Sequence, residues 1–142
     1  MVAIKRIYEP ASSNDGVRVL VDRLWPRGLT KADAAIDEWL RDLAPSNELR
    51  RWYHARPDEW HSFRKKYLQE LLQPEAQDSL HQLYQFAHKK KPLTLLFASK
   101  NETHNNAVVL KELLEGGRKP PTGTGPGAVH AMRKRQAAQR RR

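Results

Sequence analysis

The sequence predicts an α/β fold: a single small domain with a parallel or mixed sheet flanked by helices, followed by a basic C-terminal tail expected to be disordered. Three observations predict it. Short apolar, β-branched runs at 2–8, 17–24 and 93–98 alternate with longer segments whose apolar residues recur at helical spacing. Pro and Gly fall at the boundaries between these segments, where a chain changes direction. Charge is divided unevenly: residues 1–117 carry 18 Lys+Arg against 16 Asp+Glu, whereas residues 118–142 carry 8 Lys+Arg and no acid. Of the net charge of +10, the tail therefore carries +8, and the body is nearly neutral at +2.

Each element has its own reason. VAIKRIY (Val2–Tyr8) alternates loosely and suits a strand. Glu9–Gly16, rich in Pro, Ser, Asn, Asp and Gly, reads as a loop. VRVLVDRL (Val17–Leu24) reads as a largely buried strand, ended by Trp25-Pro26-Arg27-Gly28 because proline lacks a ladder donor and glycine permits positive φ. Thr30–Asp33 has capping-box spacing, which predicts a short helix through about Arg41. Ser46 is expected to cap a second helix bearing Leu49, Trp52 and Tyr53. Arg56-Pro57-Asp58-Glu59 resembles a helix start, with Trp60, Phe63, Tyr67, Leu68 and Leu71 following at helical spacing. Pro74 separates this helix from one carrying Leu80, Leu83, Tyr84 and Ala87, closed by Lys89-Lys90-Lys91. LTLLFA after Pro92 is an interior strand, Ser99–His104 a polar loop, and Asn105–Glu115 a helix stopped by Gly116-Gly117. Domain boundaries follow: 1–117 is the folded unit, and 118–142 is a Pro/Gly linker and basic tail with too few apolar residues to pack.

Composition removes several function classes. A chain without cysteine has no disulfide, thiolate metal site or cysteine nucleophile. No apolar run approaches the ~18–20 residues that cross a bilayer, and MVAIKRIYEP lacks a signal-peptide core, so a cytoplasmic protein without membrane association is expected. The six histidines include no HExxH pair, and His81 and His88 are too far apart along a helix to share a metal, so no metal site is expected. No glycine-rich phosphate loop occurs and no cofactor is expected.

VDRLWPRG (Val21–Gly28) and SKNETHNNAVVLKELL (Ser99–Leu114) carry a resemblance. With DEW at Asp37–Trp39, LRRWYH at Leu49–His54 and FRKKYLQEL at Phe63–Leu71, the sequence resembles the domain-of-unknown-function 488 (DUF488) family, and within it the YeaO-like branch. The resemblance covers about residues 1–117 and implies a single α/β domain of bacterial type, without implying a biochemical activity. Many members of the wider family have a Cys near the start of the last loop and a His-Arg further on. Here Phe97 or Ala98 stands where that Cys would fall, with His104-Asn105 nearby, so thiol chemistry is absent.

Two segments are candidate ligand sites. Ser99–Asn106 is an unbroken polar stretch between a strand and a helix start, where α/β sheets gather ligands and a helix N-terminus attracts anions. Lys100 supplies charge there, and Asn101, Asn105 and Asn106 supply directional donors; the plainer alternative is that Asn101 or Thr103 caps the helix and the rest meet solvent. Asp22–Gly28 leaves another strand end. There Arg23 and Arg27 suit bidentate grip of a phosphate or carboxylate, and Trp25 either stacks on a ligand or packs in the core. Asp22 and Arg23 alternatively form a structural ion pair. Strand alternation allows at most one of those two residues to reach a shared cleft. His104 and His54 are the candidates for acid–base work, if either meets a reacting group in space. Trp60, Phe63 and Tyr67 read as core. If the strands are parallel neighbours, the two segments form one site.

These readings converge on a pocket for a small anionic, phosphate-bearing ligand, with hydrolytic or transfer activity left open. The alternative is a non-enzymatic nucleic-acid-associated protein anchored by residues 118–142 through phosphate neutralisation. The sequence leaves oligomeric state open.

Overall fold

The computed structural model describes residues 2–117 and Pro120. The disorder expected over 118–142 thus falls, apart from Pro120, outside the described residues. Four strands, β1 (Val2–Arg6), β2 (Val17–Leu20), β3 (Glu38–Trp39) and β4 (Leu93–Phe97), form one sheet in the order β1-β4-β2-β3. Every pairing is parallel. Among the described residues five α-helices accompany them: α1 (Lys31–Ala34), α2 (Asn47–Ala55), α3 (Trp60–Leu71), α4 (Pro74–Ala87) and α5 (Asn106–Gly116). The α/β class and the parallel sheet are as the sequence predicts.

The apolar run of β4 is explained by its place. It is central, paired on both sides, and all five of its residues are buried. Its alternating side chains feed two unequal layers. On one face Leu93, Leu95 and Phe97 join Val19 and the apolar sides of α2 to α5 in the main core. On the other, Leu96 and Leu20 meet Ile7 and Ala34, with Trp25, Leu29, Ile36 and Trp39 packed around them. The long helices therefore cover one face, and the short segment between β2 and β3 covers the other.

That thin layer is held by a buried arginine. Arg18, on β2, donates to Asp15 at 2.6 Å and to the carbonyls of Ala34 and Ala35 at 2.8 and 2.9 Å. Its backbone N–H donates to the Asp37 carboxylate and its carbonyl accepts from the Asp37 amide, both at 2.8 Å. These contacts explain a correction. Thr30 does cap a helix, but α1 ends after four residues because Ala35 turns left-handed at φ 49°. The chain then pairs with β2 as β3 instead of continuing helical to Arg41. A cation at the carbonyl end of α1 matches the negative pole of its turn.

Other boundaries shift for similar reasons. Ladder pairing of β2 ends at Leu20, not Leu24, so Asp22–Leu24 lie beyond the sheet. Ser46 caps α2, accepting from Leu49 N–H as expected. Arg56–Asp58 precede α3, and Glu59 stands at its N-cap. Pro74 opens α4, and α5 is capped by Asn105, not by Thr103 or Asn101.

Gly16 marks the tightest approach of the fold. It has φ +67°, and a Cβ there would lie 2.7 Å from the Pro92 carbonyl carbon. Gly16→Ala is expected to cost well over ~1 kcal/mol, since strain and overlap act together; urea denaturation measures it. Asp15 gives a pH signature. Burial opposes its charge, but hydrogen bonds from Ser12 N–H, Lys5 and Arg18 outweigh this and hold its carboxyl below the ordinary value. A depressed folded pKa stabilises the protein above the unfolded value of about 3.9. That contribution is lost as pH falls through the lower folded value. Asp15→Ala leaves Arg18 buried without its acid and is expected to lose roughly 3–5 kcal/mol at neutral pH. Stability of this variant should also depend less on pH below about 4 than that of the parent.

Candidate functional site

Because β2 and β4 are parallel neighbours, their carboxyl ends open on the same edge of the sheet. The chain leaving β2 and the chain leaving β4 border one cleft of about 800 Å³ there. All nine residues singled out from the sequence line it: Arg23, Trp25 and Arg27 from the first segment, Lys100, Asn101, His104, Asn105 and Asn106 from the second, and His54 from α2. The expectation that the Trp25–Gly28 turn and the Ser99–Asn106 loop share one edge thus agrees with the geometry.

Individual side chains differ in how free they are. Arg23 donates to the carbonyls of Pro45 and Ala44 at 3.2 and 3.1 Å, bracing the chain before α2. It makes no ion pair with Asp22. Both residues border the cleft, because the ladder has ended and strand alternation no longer separates them. Trp25 packs edge-on against Trp39, with ring centroids 5.4 Å apart, and its indole N–H donates to Leu29 O at 2.6 Å. It is a wall of the second core as well as of the cleft. Tyr8 OH donates to Arg27 O at 2.9 Å and fixes the turn.

The three asparagines are largely committed to the backbone. Asn101 Oδ1 accepts from Thr103 N–H and His104 N–H, forming a local turn. Asn105 Oδ1 accepts from Val108 N–H, and its amide donates to Asn101 O. Asn106 Nδ2 donates to Val21 O at 2.9 Å and to Asp22 Oδ1 at 3.2 Å. Asn105 and Asn106 thus spend amide donors within the fold, whereas the Asn101 side chain engages only its oxygen among the described residues. His104 stacks on Trp60, with centroids 4.6 Å apart and planes 10° from parallel. His54 is exposed on the opposite wall. Trp60, Phe63 and Tyr53 continue this ring stack into the core, as the core reading of that helix requires.

Arg27 and Lys100 are exposed, and so is Arg50, which sequence reasoning missed. Arg50 and His54 are four apart on α2, a spacing that would have placed them on one face. None of the three cations makes an ion pair among the described residues. Asp22 opens the second candidate segment, where an ion pair with Arg23 is the plainer expectation. It is the single carboxylate of the lining, half-buried, and it accepts from Ala98 N–H at 2.8 Å as well as from Asn106. Burial raises its pKa, and those two hydrogen bonds oppose the rise without cancelling it. Tyr67, fully buried behind it, donates its hydroxyl to Leu43 O. Burial first, and then the Asp22 and Glu70 carboxylates, push the Tyr67 phenol well above its usual value. Among the described residues no three His, Asp or Glu side chains gather as a metal site, and no helix is long and apolar enough to cross a membrane.

Comparison with known proteins agrees with the motifs. The chain is 48% identical over 113 residues to the uncharacterised protein YeaO of Escherichia coli, covering 80% of this chain and 96% of that protein. It is 38% identical over 115 residues to uncharacterised proteins of Mycobacterium tuberculosis and Mycobacterium bovis, covering 81% of this chain and 94% of each. No solved structure matches. A family model described as the inactive DUF488-N3 subclade matches residues 1–122, and with the YeaO likeness it shows that the chain belongs to the DUF488 family.

Proposed function

We propose that residues 1–117 act as a non-catalytic binding domain that takes a small anionic ligand in the cleft at the carboxyl edge of the sheet. The observation that carries this reading is the charge of the lining: Arg23, Arg27, Arg50 and Lys100 face a single carboxylate. None of the four makes an ion pair among the described residues, and the exposed Arg27, Arg50 and Lys100 are available to a ligand phosphate or carboxylate. Tyr8, Trp25, Tyr53 and Phe63 give the same cleft an apolar wall, which suits an anion with an organic body. The description of the matching subclade as inactive favours binding over turnover. The lining supports this too: Ser99 is its only aliphatic hydroxyl, and among the described residues no histidine or carboxylate hydrogen-bonds to it as an activating base would. On this reading His54 and His104 are polar wall groups, not an acid and a base.

A thermal-shift screen of the full chain with nucleoside monophosphates, sugar phosphates and inorganic phosphate is the direct test. Stabilisation by an organophosphate is expected. Arg27→Ala and Lys100→Ala should each weaken that binding about tenfold or more, the loss of one charge-assisted contact. Unliganded stability should change by no more than ~0.5 kcal/mol, since both side chains are exposed. If no small anion stabilises the chain, while short oligonucleotides bind with steep salt dependence, the function moves to nucleic acid and residues 118–142.

A further inference from the structure

Asp22 is the one group in the cleft that anion binding alone does not explain. It is half-buried, it faces the cavity, and no cation pairs with it among the described residues. Arg23, next to it in the chain, spends its guanidinium on the carbonyls of Ala44 and Pro45. An ionised carboxylate in such a place is costly unless it is paired or fully hydrogen-bonded. Its internal partners do not require the charge. Oδ2 holds Ala98 N–H and Oδ1 holds the Asn106 amide, one bond each, and a neutral amide oxygen would hold the backbone N–H as well. About half of the roughly four acceptor sites of a carboxylate remain unused. Burial also raises the Asp22 pKa, as expected of an acid waiting for a donor.

We infer that Asp22 is a recognition group for a hydrogen-bond-donating nitrogen, so that the cleft takes an aminated ring joined to an anionic group. This inference rests on the anion-binding reading above. The anion lies with the exposed Arg27 and Lys100, the ring lies along the aromatic wall, and the amino group reaches the Asp22 carboxylate. The anion is a phosphate or a carboxylate, and each is probed separately. Such a ligand neutralises both ends of the cleft at once: its anion answers the unpaired cations, and its N–H answers the unpaired acid.

The test uses the full chain and two pairs of probes that differ by one amino group. One pair is adenosine 5′-monophosphate and purine riboside 5′-monophosphate; the other is 4-aminobenzoate and benzoate. Calorimetry should show about tenfold preference for the aminated member of whichever pair binds, the worth of a hydrogen bond to a charged group. Asp22→Asn should reduce that preference below about twofold while the non-aminated member still binds. If Asp22→Asn fails to fold, amide NMR of the parent chain decides instead. The Ala98 N–H signal, whose proton is shared with Asp22, should move with the aminated probe and stay with its partner. Equal affinity for both members of a pair, with an unmoved Ala98 signal, overturns the role of Asp22 and leaves the anion cleft standing. A preference that survives Asp22→Asn also overturns it. Failure of all four probes to bind overturns this inference, and the anion cleft falls with it only if the sugar phosphates and inorganic phosphate of the thermal-shift screen also fail.

Discussion

The carboxylate of Asp22 ties together three pieces of chain that would otherwise diverge. β2 ends two residues before it, Ala98 follows β4, and Asn106 opens α5. One side chain reaches the last two, through Ala98 N–H and the Asn106 amide, while its own carbonyl accepts from the Trp39 indole at 2.7 Å. Asn106 closes the loop of contacts by donating to Val21 O. The edge of a parallel sheet leaves backbone groups without ladder partners, and a buried donor left unpaired there costs about 1–3 kcal/mol. Side chains of Asp22, Asn106 and Arg6 supply these partners; Arg6 donates to Ala98 O and Ser99 O at 3.1 and 3.0 Å. The cleft is the space that remains between two strand exits pinned in this way.

A second constraint acts at the other end of the sheet, and it is electrostatic. With α2 to α5 on one face, the opposite face has only a short layer, and Arg18 fills it with a buried side chain bound to Asp15 and two carbonyls. Thr94, also on this face, donates to Asp15 O at 2.8 Å. A long helix there would have supplied broader apolar cover than α1 and its neighbours do; the network adds directional bonds, which fix where the chain turns. Position along β3 matters for the cleft because Trp39 supports Trp25, and Trp25 forms one of the cleft walls. The ion cluster thus reaches the site through packing, at a distance from it.

How much of this was legible in the sequence depends on the kind of signal. Elements with a long apolar period, such as α3 to α5, and a run such as LTLLF can be read because burial writes itself into every second or fourth residue. β3 was illegible: two residues carry no period, and the stop signal, Ala35 at positive φ, is not the glycine or asparagine that normally marks such a position. The parallel return from β1 to β2 was equally hidden, since it uses a loop with one short 3-10 turn where a helical crossover is usual. At the site, strand-end position brought the singled-out residues to one cleft, but residue type said little about the contacts each makes there. Asparagines in a polar loop look like ligand donors, and here they satisfy neighbouring backbone groups. Asp22 beside Arg23 looks like an ion pair, and each instead finds amide partners elsewhere.

The proposed reading of binding without turnover has a physical counterpart in how this edge is built. The carboxyl ends of strands gather ligands and the adjoining helix N-terminus favours anions, so a reacting side chain there would meet what the loop binds. The positions after β4 here are Ala98, whose N–H is spent on Asp22, and Ser99, whose hydroxyl accepts from Asn101. His104, the nearest base in sequence, lies flat on Trp60 and joins the aromatic wall. What such an edge retains is the set of interactions that do not require a reacting atom: fixed amides, unpaired cations and one enclosed acid. Those are elements of recognition, and none of them requires a nucleophile.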